Sequence, residues 1–99
     1  MAAYFIAQYV VKNPKLYREY QAGAAPTIPA SGGEVVAFDV AAETVEGTPP
    51  GPQTVIVKFA TPEAAKAWYE SPAYQAVVGK RLASTEGFAI ISQSMNFGG

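Results

Sequence analysis

The chain has 99 residues, of which 49% are hydrophobic and 15% are charged, and its formal net charge is −1. A chain of this length has room for one hydrophobic core, so we predict a single domain over residues 1–99. Its basic residues are scattered, and only Lys80 and Arg81 are adjacent. This distribution argues against the basic patch that nucleic-acid binding needs.

The sequence contains neither cysteine nor histidine. Disulfides, thiolate nucleophiles and a Ser-His-Asp triad are therefore excluded. The carboxylates lie near turns at spacings that gather no metal ligands, so we expect no metal site and no cofactor. No segment approaches the roughly 18 consecutive apolar residues that indicate a membrane span, and no basic segment precedes the apolar amino terminus. We therefore expect a cytoplasmic protein that does not bind membranes.

The first predicted element is a strand over Ala3–Val11, where β-branched and aromatic residues follow one another without Gly or Pro. Both faces of this strand are largely apolar, so both should be covered. Asn13 and Pro14 then predict a helix, because Asn accepts hydrogen bonds from first-turn amides and Pro suits the first helical position. A second short turn through Thr27–Ala30 is compatible with the sequence.

The second and third strands are predicted on either side of a loop. The second runs from Glu34 to about Glu43, and the third covers Gln53–Phe59. Residues 45–52 contain three prolines and two glycines, which is typical of an exposed hairpin loop. A symmetric hairpin places Asp39 opposite Lys58, and this is the register that we predict.

Two further helical segments are predicted after the third strand. Thr61-Pro62 and Ser71-Pro72 each combine a capping hydroxyl with a proline at the first helical position. Ser71-Pro72 should end one helix and begin the next, because the residue before a proline is disfavoured in the α conformation. A turn over Ser84–Gly87 leads into the last strand, Phe88–Ser94, and Met95–Gly99 is a tail.

The order of elements is β-α-β-β-α-β, the ferredoxin-like arrangement. It predicts an α+β fold with a four-stranded antiparallel sheet and both helical segments on one face. Strict alternation places apolar side chains of all four strands on the other face. Such a face is too large an apolar patch to stand in water, so we predict that a second copy covers it in a homodimer. The residues assigned to this face are Tyr4, Ile6, Val10, Val35, Ala37, Ile56 and Ile91.

Four polar side chains fall on that same predicted face: Gln8, Asp39, Lys58 and Gln93. Ligand sites are mostly apolar with a few placed polar groups, so the pattern is compatible with a small-molecule pocket between the sheet and the partner subunit. In this interpretation a desolvated Lys58 acts as a base or Schiff-base nucleophile, while a paired Asp39 would keep it charged. The alternative is a cross-strand ion pair at the dimer edge.

The helical region also allows two interpretations. Trp68, Tyr69 and Tyr74 either line a cavity and present polar groups to a substrate, or pack into the core, which is the simpler explanation. Arg81 either recognises a carboxylate in bidentate fashion, or is a solvated or inter-subunit ion-pairing residue. Tyr74 and Arg81 are therefore candidate substrate-binding residues at the edge of the predicted pocket.

The run Trp68–Gln75, WYESPAYQ, followed by Arg81, resembles the core motif of the family called domain of unknown function 1330. The resemblance extends over essentially the whole chain, with Gly32-Gly33 before the second strand and Phe59 closing the third. It implies the dimeric α+β barrel superfamily, in which two ferredoxin-like subunits pack sheet to sheet. Relatives there include cofactor-independent monooxygenases, muconolactone isomerase-like proteins and stress-responsive barrel proteins, but the family itself brings no established reaction.

The chain departs from this family at two places. It has Lys58 where members often carry Glu, and Phe38-Asp39 where many have an Arg-Gly pair.

Three functions stay open for this chain. In the first alternative, the protein is an enzyme that acts without a metal on a small, partly apolar substrate. In the second, it is a non-catalytic binding or stress-response module that uses the same pocket. The third alternative is a structural dimer with no open pocket.

Overall fold

The structure is a computed structural model that describes residues 1–95. Its helices and strands follow the predicted order, and the α+β, ferredoxin-like fold class is confirmed. The predicted tail lies outside the described residues beyond Met95. The elements are β1 Ala3–Val11, α1 Pro14–Ala24, α2 Thr27–Ala30, β2 Glu34–Asp39, β3 Gln53–Phe59, α3 Pro62–Glu70, α4 Pro72–Ser84 and β4 Thr85–Gln93.

The helix starts follow from local side-chain chemistry. Asn13, Thr61 and Ser71 each accept a hydrogen bond from the backbone amide three residues further on, at 3.1, 3.0 and 3.3 Å. Each is followed by a proline at the start of the helix. The Ser71 hydroxyl also donates to the Trp68 carbonyl at 2.7 Å, so a single side chain ends α3 and begins α4.

The sheet has the antiparallel order β2-β3-β1-β4. Odd-numbered residues of β1 are buried against the helices, and their partners on β3 share that side. The core of the described chain consists of Ala3, Phe5, Ala7, Tyr9, Tyr17, Tyr20, Ala24, Val57, Phe59, Ala65, Trp68, Tyr74 and Val78. No helix within residues 1–95 is long and apolar enough to cross a membrane.

Two element boundaries differ from the prediction. β2 ends at Asp39 rather than near residue 43, because the Asp39 carboxylate accepts a hydrogen bond from the Ala41 amide at 2.9 Å and turns the chain away. α4 continues through Ser84 where a turn was predicted, and β4 begins at once with Thr85. The Thr85 hydroxyl donates to the Arg81 carbonyl at 2.7 Å, which closes the helix end without a separate turn.

The predicted β2–β3 register is wrong. Asp39 pairs with Thr54, and the partner of Lys58 is Glu34. Asp39 therefore lies four positions along β3 from Lys58, about 13 Å at the rise of a strand. A register shift between Val35 and Ala37 also breaks the alternation on which the face assignment relied.

Side-chain faces change accordingly at two strands. Val35 pairs with Val57 and so faces the helices rather than the far side of the sheet. Ile90 of β4 pairs with Ile6, which faces away from the helices, and Gln93 pairs with Ala3, which faces them. Because side chains alternate along a strand, Gln93 and Ile91 also lie on the helix side. The predicted positions of Val35, Ile91 and Gln93 are wrong. The surface away from the helices, here called the open face, consists of Tyr4, Ile6, Gln8, Val10, Glu34, Ala37, Asp39, Thr54, Ile56, Lys58, Glu86, Phe88, Ile90 and Ser92.

Candidate functional site

A cavity lies between the sheet and the first two helices, on the side opposite the open face. It has a volume of about 260 Å³ and is called the helix-side cavity. Val35 and Phe38 on the edge strand are 48% and 50% exposed, so the cavity opens beneath β2. Its walls include Phe5, Tyr9, Tyr17, Tyr20, Ala24, Val35, Phe38 and Val55.

Four buried tyrosines, Tyr9, Tyr17, Tyr20 and Tyr74, form the tyrosine cluster beside this cavity. The hydroxyls of Tyr9 and Tyr17 are 2.7 Å apart, and those of Tyr20 and Tyr74 are also 2.7 Å apart. The Gln53 amide donates to the Tyr17 oxygen at 2.7 Å. The cluster forms because Tyr17 and Tyr20 share one face of α1, where Tyr17 contacts Tyr9 of β1 and the helix packs against α4.

Arg81 completes the cluster from α4, two helical turns beyond Tyr74. It is only 5% exposed, and its guanidinium carbon lies 5.9 Å from the centre of the Tyr9 ring. Its Nε atom is buried and makes no hydrogen bond within residues 1–95. Within residues 1–95 the ion pairs join Lys12 to Glu86 and Lys80 to Glu19, so neither of them neutralises Arg81.

The protonation of the cluster follows from its burial. Burial raises the pKa of all four phenols above the ordinary value, and the attraction of Arg81 offsets this only in part. At neutral pH the phenols are therefore protonated and act as hydrogen-bond donors and acceptors, not as bases. Burial alone would lower the pKa of Arg81, but the oxygens of Tyr74 and Tyr20 outweigh it and raise that pKa, so the guanidinium stays charged.

Two more cavities lie near the helix-side cavity. One of about 330 Å³ shares Tyr17, Gln21 and Phe38 with it and is also lined by Gln53. The hydrogen-bonded group of Tyr9, Tyr17 and Gln53 therefore stands at the junction between these two cavities. The other, of about 310 Å³, lies between Tyr69 and the β4 residues Ala89 to Ile91.

The four polar residues predicted to share one pocket are not brought together. Gln8 donates to the Thr54 hydroxyl at 3.3 Å, whereas Asp39 and Lys58 are exposed and distant from each other on the open face. Gln93 lies on the helix side, at the end of β4. None of the three cavities is lined by any of these residues. Within residues 1–95 no carboxylate cluster suited to a metal ion occurs.

Tyr74 and Arg81, in contrast, are buried in one cluster. Their role as substrate-binding residues stays a prediction. Trp68 is a core residue, 2% exposed, and its indole donates to the Thr27 hydroxyl at 2.9 Å. Tyr9, Tyr17, Tyr20 and Gln53 were not among the residues predicted from the sequence to form a site. The available signal was the pair Tyr17 and Tyr20, two hydroxyls at helical spacing on one face of α1.

The family of this chain is shown by a match over almost its whole length. Residues 2–95 match the family described as "Domain of unknown function (DUF1330)". The chain belongs to this family. This match confirms the family resemblance indicated by the motif at Trp68–Gln75. No curated protein sequence matches this chain.

Solved structures with the same fold include proteins from three bacteria. RPA0582 of Rhodopseudomonas palustris, of unknown function, has a TM-score of 0.76 and 16% identity over 96% of this chain and 83% of that one. A candidate antibiotic biosynthesis monooxygenase from Nitrosomonas europaea has a TM-score of 0.59 and 15% identity, covering 99% and 94%. HapK from Hahella chejuensis has a TM-score of 0.59 and 15% identity, covering 97% and 95%. These likenesses show a shared fold, that of the dimeric α+β barrel proteins.

Proposed function

We propose that this DUF1330 protein binds a small, largely apolar molecule in the helix-side cavity. The observation that carries the proposal is a cavity of about 260 Å³ with mostly apolar walls and buried phenol groups at one end. Binding sites for small molecules have this composition, because apolar walls provide affinity and a few fixed polar groups provide orientation. The volume is slightly below the roughly 300–1,000 Å³ usual for such sites and suits a ligand of one or two rings.

The chemical role that we propose for the tyrosine cluster is hydrogen-bond donation. The raised pKa values of Tyr9 and Tyr20 keep these phenols protonated, so they do not serve as general bases at neutral pH. Protonated phenols held in place by neighbours can bind a ligand oxygen or stabilise a charge that develops on it. The similarity to a candidate antibiotic biosynthesis monooxygenase supports the binding of a small molecule on this fold.

A matched pair of alanine variants tests the proposal. Ala24 is buried and lines the cavity, whereas Ala22 on the same helix is exposed and does not. Ala24→Met fills the cavity, so we expect it to weaken binding of naphthalene-2-carboxylate roughly tenfold or more in calorimetry. Ala22→Met should bind like the wild type. Equal binding by both variants, with both folded by circular dichroism, would contradict the proposal, as would a wild type that binds no naphthalene probe.

We also propose that a second copy of the chain covers the open face. Phe88 and Ile90 there are 44% and 50% exposed in the single chain, beside the partly exposed Ile6 and Ile56. A continuous apolar surface of this kind marks a protein–protein contact. In such a dimer Gln8, Asp39 and Lys58 would lie near the partner, so they remain candidates for a second polar site between the subunits.

Sedimentation tests the dimer. The wild type should sediment as twice the 10.4 kDa chain, and Ile6→Glu should sediment as a monomer because it places a charge in the contact. Leu82→Glu is the control, since Leu82 is 62% exposed on α4, away from the open face. A wild-type monomer at micromolar concentration would refute the proposed dimer without affecting the cavity.

A further inference from the structure

The tyrosine cluster contains more phenolic protons than hydrogen bonds that use them. Tyr9 and Tyr17 have two phenolic protons but share one hydrogen bond, and Gln53 donates to the same Tyr17 oxygen. One phenolic proton of this pair therefore has no acceptor within the cluster. Tyr20 and Tyr74 likewise share one hydrogen bond between two protons. Each pair has one unused phenolic proton, whichever of its two hydroxyls is the donor.

Arg81 adds a positive charge to this surplus of donors. It is 5% exposed, and its Nε atom has no hydrogen-bond partner within residues 1–95. The groups around it are the phenols of Tyr74, Tyr20 and Tyr9, and none of them is a carboxylate. A buried cation is costly unless a negative charge compensates it. The cluster thus lacks both an acceptor and a negative charge.

The deficit is located where a ligand can reach it. Tyr9 and Tyr17 line the helix-side cavity, and Tyr17 and Gln53 line the neighbouring one. Arg81 lies 5.9 Å from the centre of the Tyr9 ring. Arg81 lines none of the three cavities, so its charge acts on a ligand across the Tyr9 ring, in a medium of low polarity where charges attract more strongly than in water.

We infer that the ligand of the helix-side cavity is a small organic anion, an aromatic or conjugated carboxylate or enolate. Its charged oxygen accepts a hydrogen bond from the free phenolic O–H of the Tyr9–Tyr17 pair, and Arg81 compensates its negative charge. Its flat apolar body lies among the aromatic walls formed by Phe5, Tyr20 and Phe38. This inference rests on the proposed function and names the class of ligand for the same site.

A pair of probes of nearly the same shape tests the inference. Naphthalene-2-carboxylate is an anion at pH 7, and naphthalene-2-carboxamide is its neutral counterpart. Calorimetry on the wild type should give about tenfold to a hundredfold tighter binding of the carboxylate, the range expected for a hydrogen bond to a charged group. Arg81→Met should reduce this preference to less than about threefold, and the double variant Tyr9→Phe/Tyr17→Phe, which removes both hydroxyls of the pair, should weaken binding of the carboxylate more than that of the amide. Tyr69→Phe, outside the cluster, should leave the preference unchanged.

The outcomes separate the inference from the proposed function. If the wild type binds neither probe, both are overturned. If it binds the amide as tightly as the carboxylate, the cavity binds small molecules but the anionic class is wrong. A preference that persists in both Arg81→Met and Tyr9→Phe/Tyr17→Phe would overturn the assignment to these residues. Should Arg81→Met fail to fold, Tyr9→Phe/Tyr17→Phe decides alone, because it removes both hydroxyls and keeps both rings.

Discussion

At the scale of single residues, buried hydroxyls link the stability of this protein to its candidate site. The Tyr20 and Tyr74 oxygens are 2.7 Å apart between α1 and α4, with Tyr74 fully buried. Each hydroxyl is the hydrogen-bond partner of the other, so removing one leaves the second without that partner. A buried polar group left without its partner costs free energy.

Tyr20→Phe should therefore lower the free energy of unfolding by about 1 to 2 kcal/mol, measured by urea denaturation. The control is Tyr69→Phe, because the half-buried Tyr69 hydroxyl makes no hydrogen bond within the described chain. Its effect should stay within about 0.5 kcal/mol. Equal losses for the two variants would show that the Tyr20–Tyr74 hydrogen bond contributes no specific stability.

The sequence anticipated part of this residue-level picture. Tyr74 and Arg81 were singled out because they belong to a specific motif and combine a phenol with a guanidinium. Tyr9 and Tyr17 were not, because an aromatic residue on a buried stripe is usually core packing. Whether its hydroxyl meets another depends on how α1 lies across β1, and the sequence of either element does not determine that contact.

At the scale of elements, helix starts were predictable and strand registers were not. Asn13, Thr61 and Ser71 act on amides three residues away, so the sequence nearby is sufficient. Register depends on alternation of apolar and polar residues. Both faces of β4 are largely apolar, and β2 has an irregularity after Val35. Alternation therefore did not determine which face of either strand points toward the helices.

Gly87 helps to fix the β1–β4 pairing, since a side chain there would collide with the backbone of Gln8 and Tyr9. Gly87→Ala should lower the free energy of unfolding by about 2 kcal/mol or more in urea denaturation. The matched control is Gly79→Ala on the exposed side of α4, where an added methyl group meets nothing within 4 Å. It should raise stability by about 0.5 to 1 kcal/mol. A harmless Gly87→Ala would mean that the strands pair less closely than described.

At the scale of the whole molecule, the protein has helices on one side of its sheet and an apolar open face on the other. Four of its six tyrosines are buried in the cluster on the helical side. Their pKa values are raised from 10.0, chiefly by burial. Above pH 10 the unfolded chain therefore releases phenolic protons that the folded chain retains, and the folded state becomes less stable as pH rises.

Alkaline unfolding should follow from this difference. The free energy of unfolding should fall above pH 10, by up to about 1.4 kcal/mol per pH unit for each cluster tyrosine. Absorbance at the phenolate band and far-UV circular dichroism, followed together, should show the cluster tyrosines ionising in the same transition in which the fold is lost. Ionisation of all six phenols with unchanged circular dichroism would contradict the buried cluster.

The most direct test of the central claim is to locate a bound probe by NMR. The ¹⁵N-labelled protein is titrated with naphthalene-2-carboxylate at pH 7, and the amide shift changes are assigned to residues. We predict that the largest changes occur around the helix-side cavity, at Ala24, Val35 and Val55. Changes confined to the open face, around Ile56 and Ile90, would place the site on the other side of the sheet and contradict the claim.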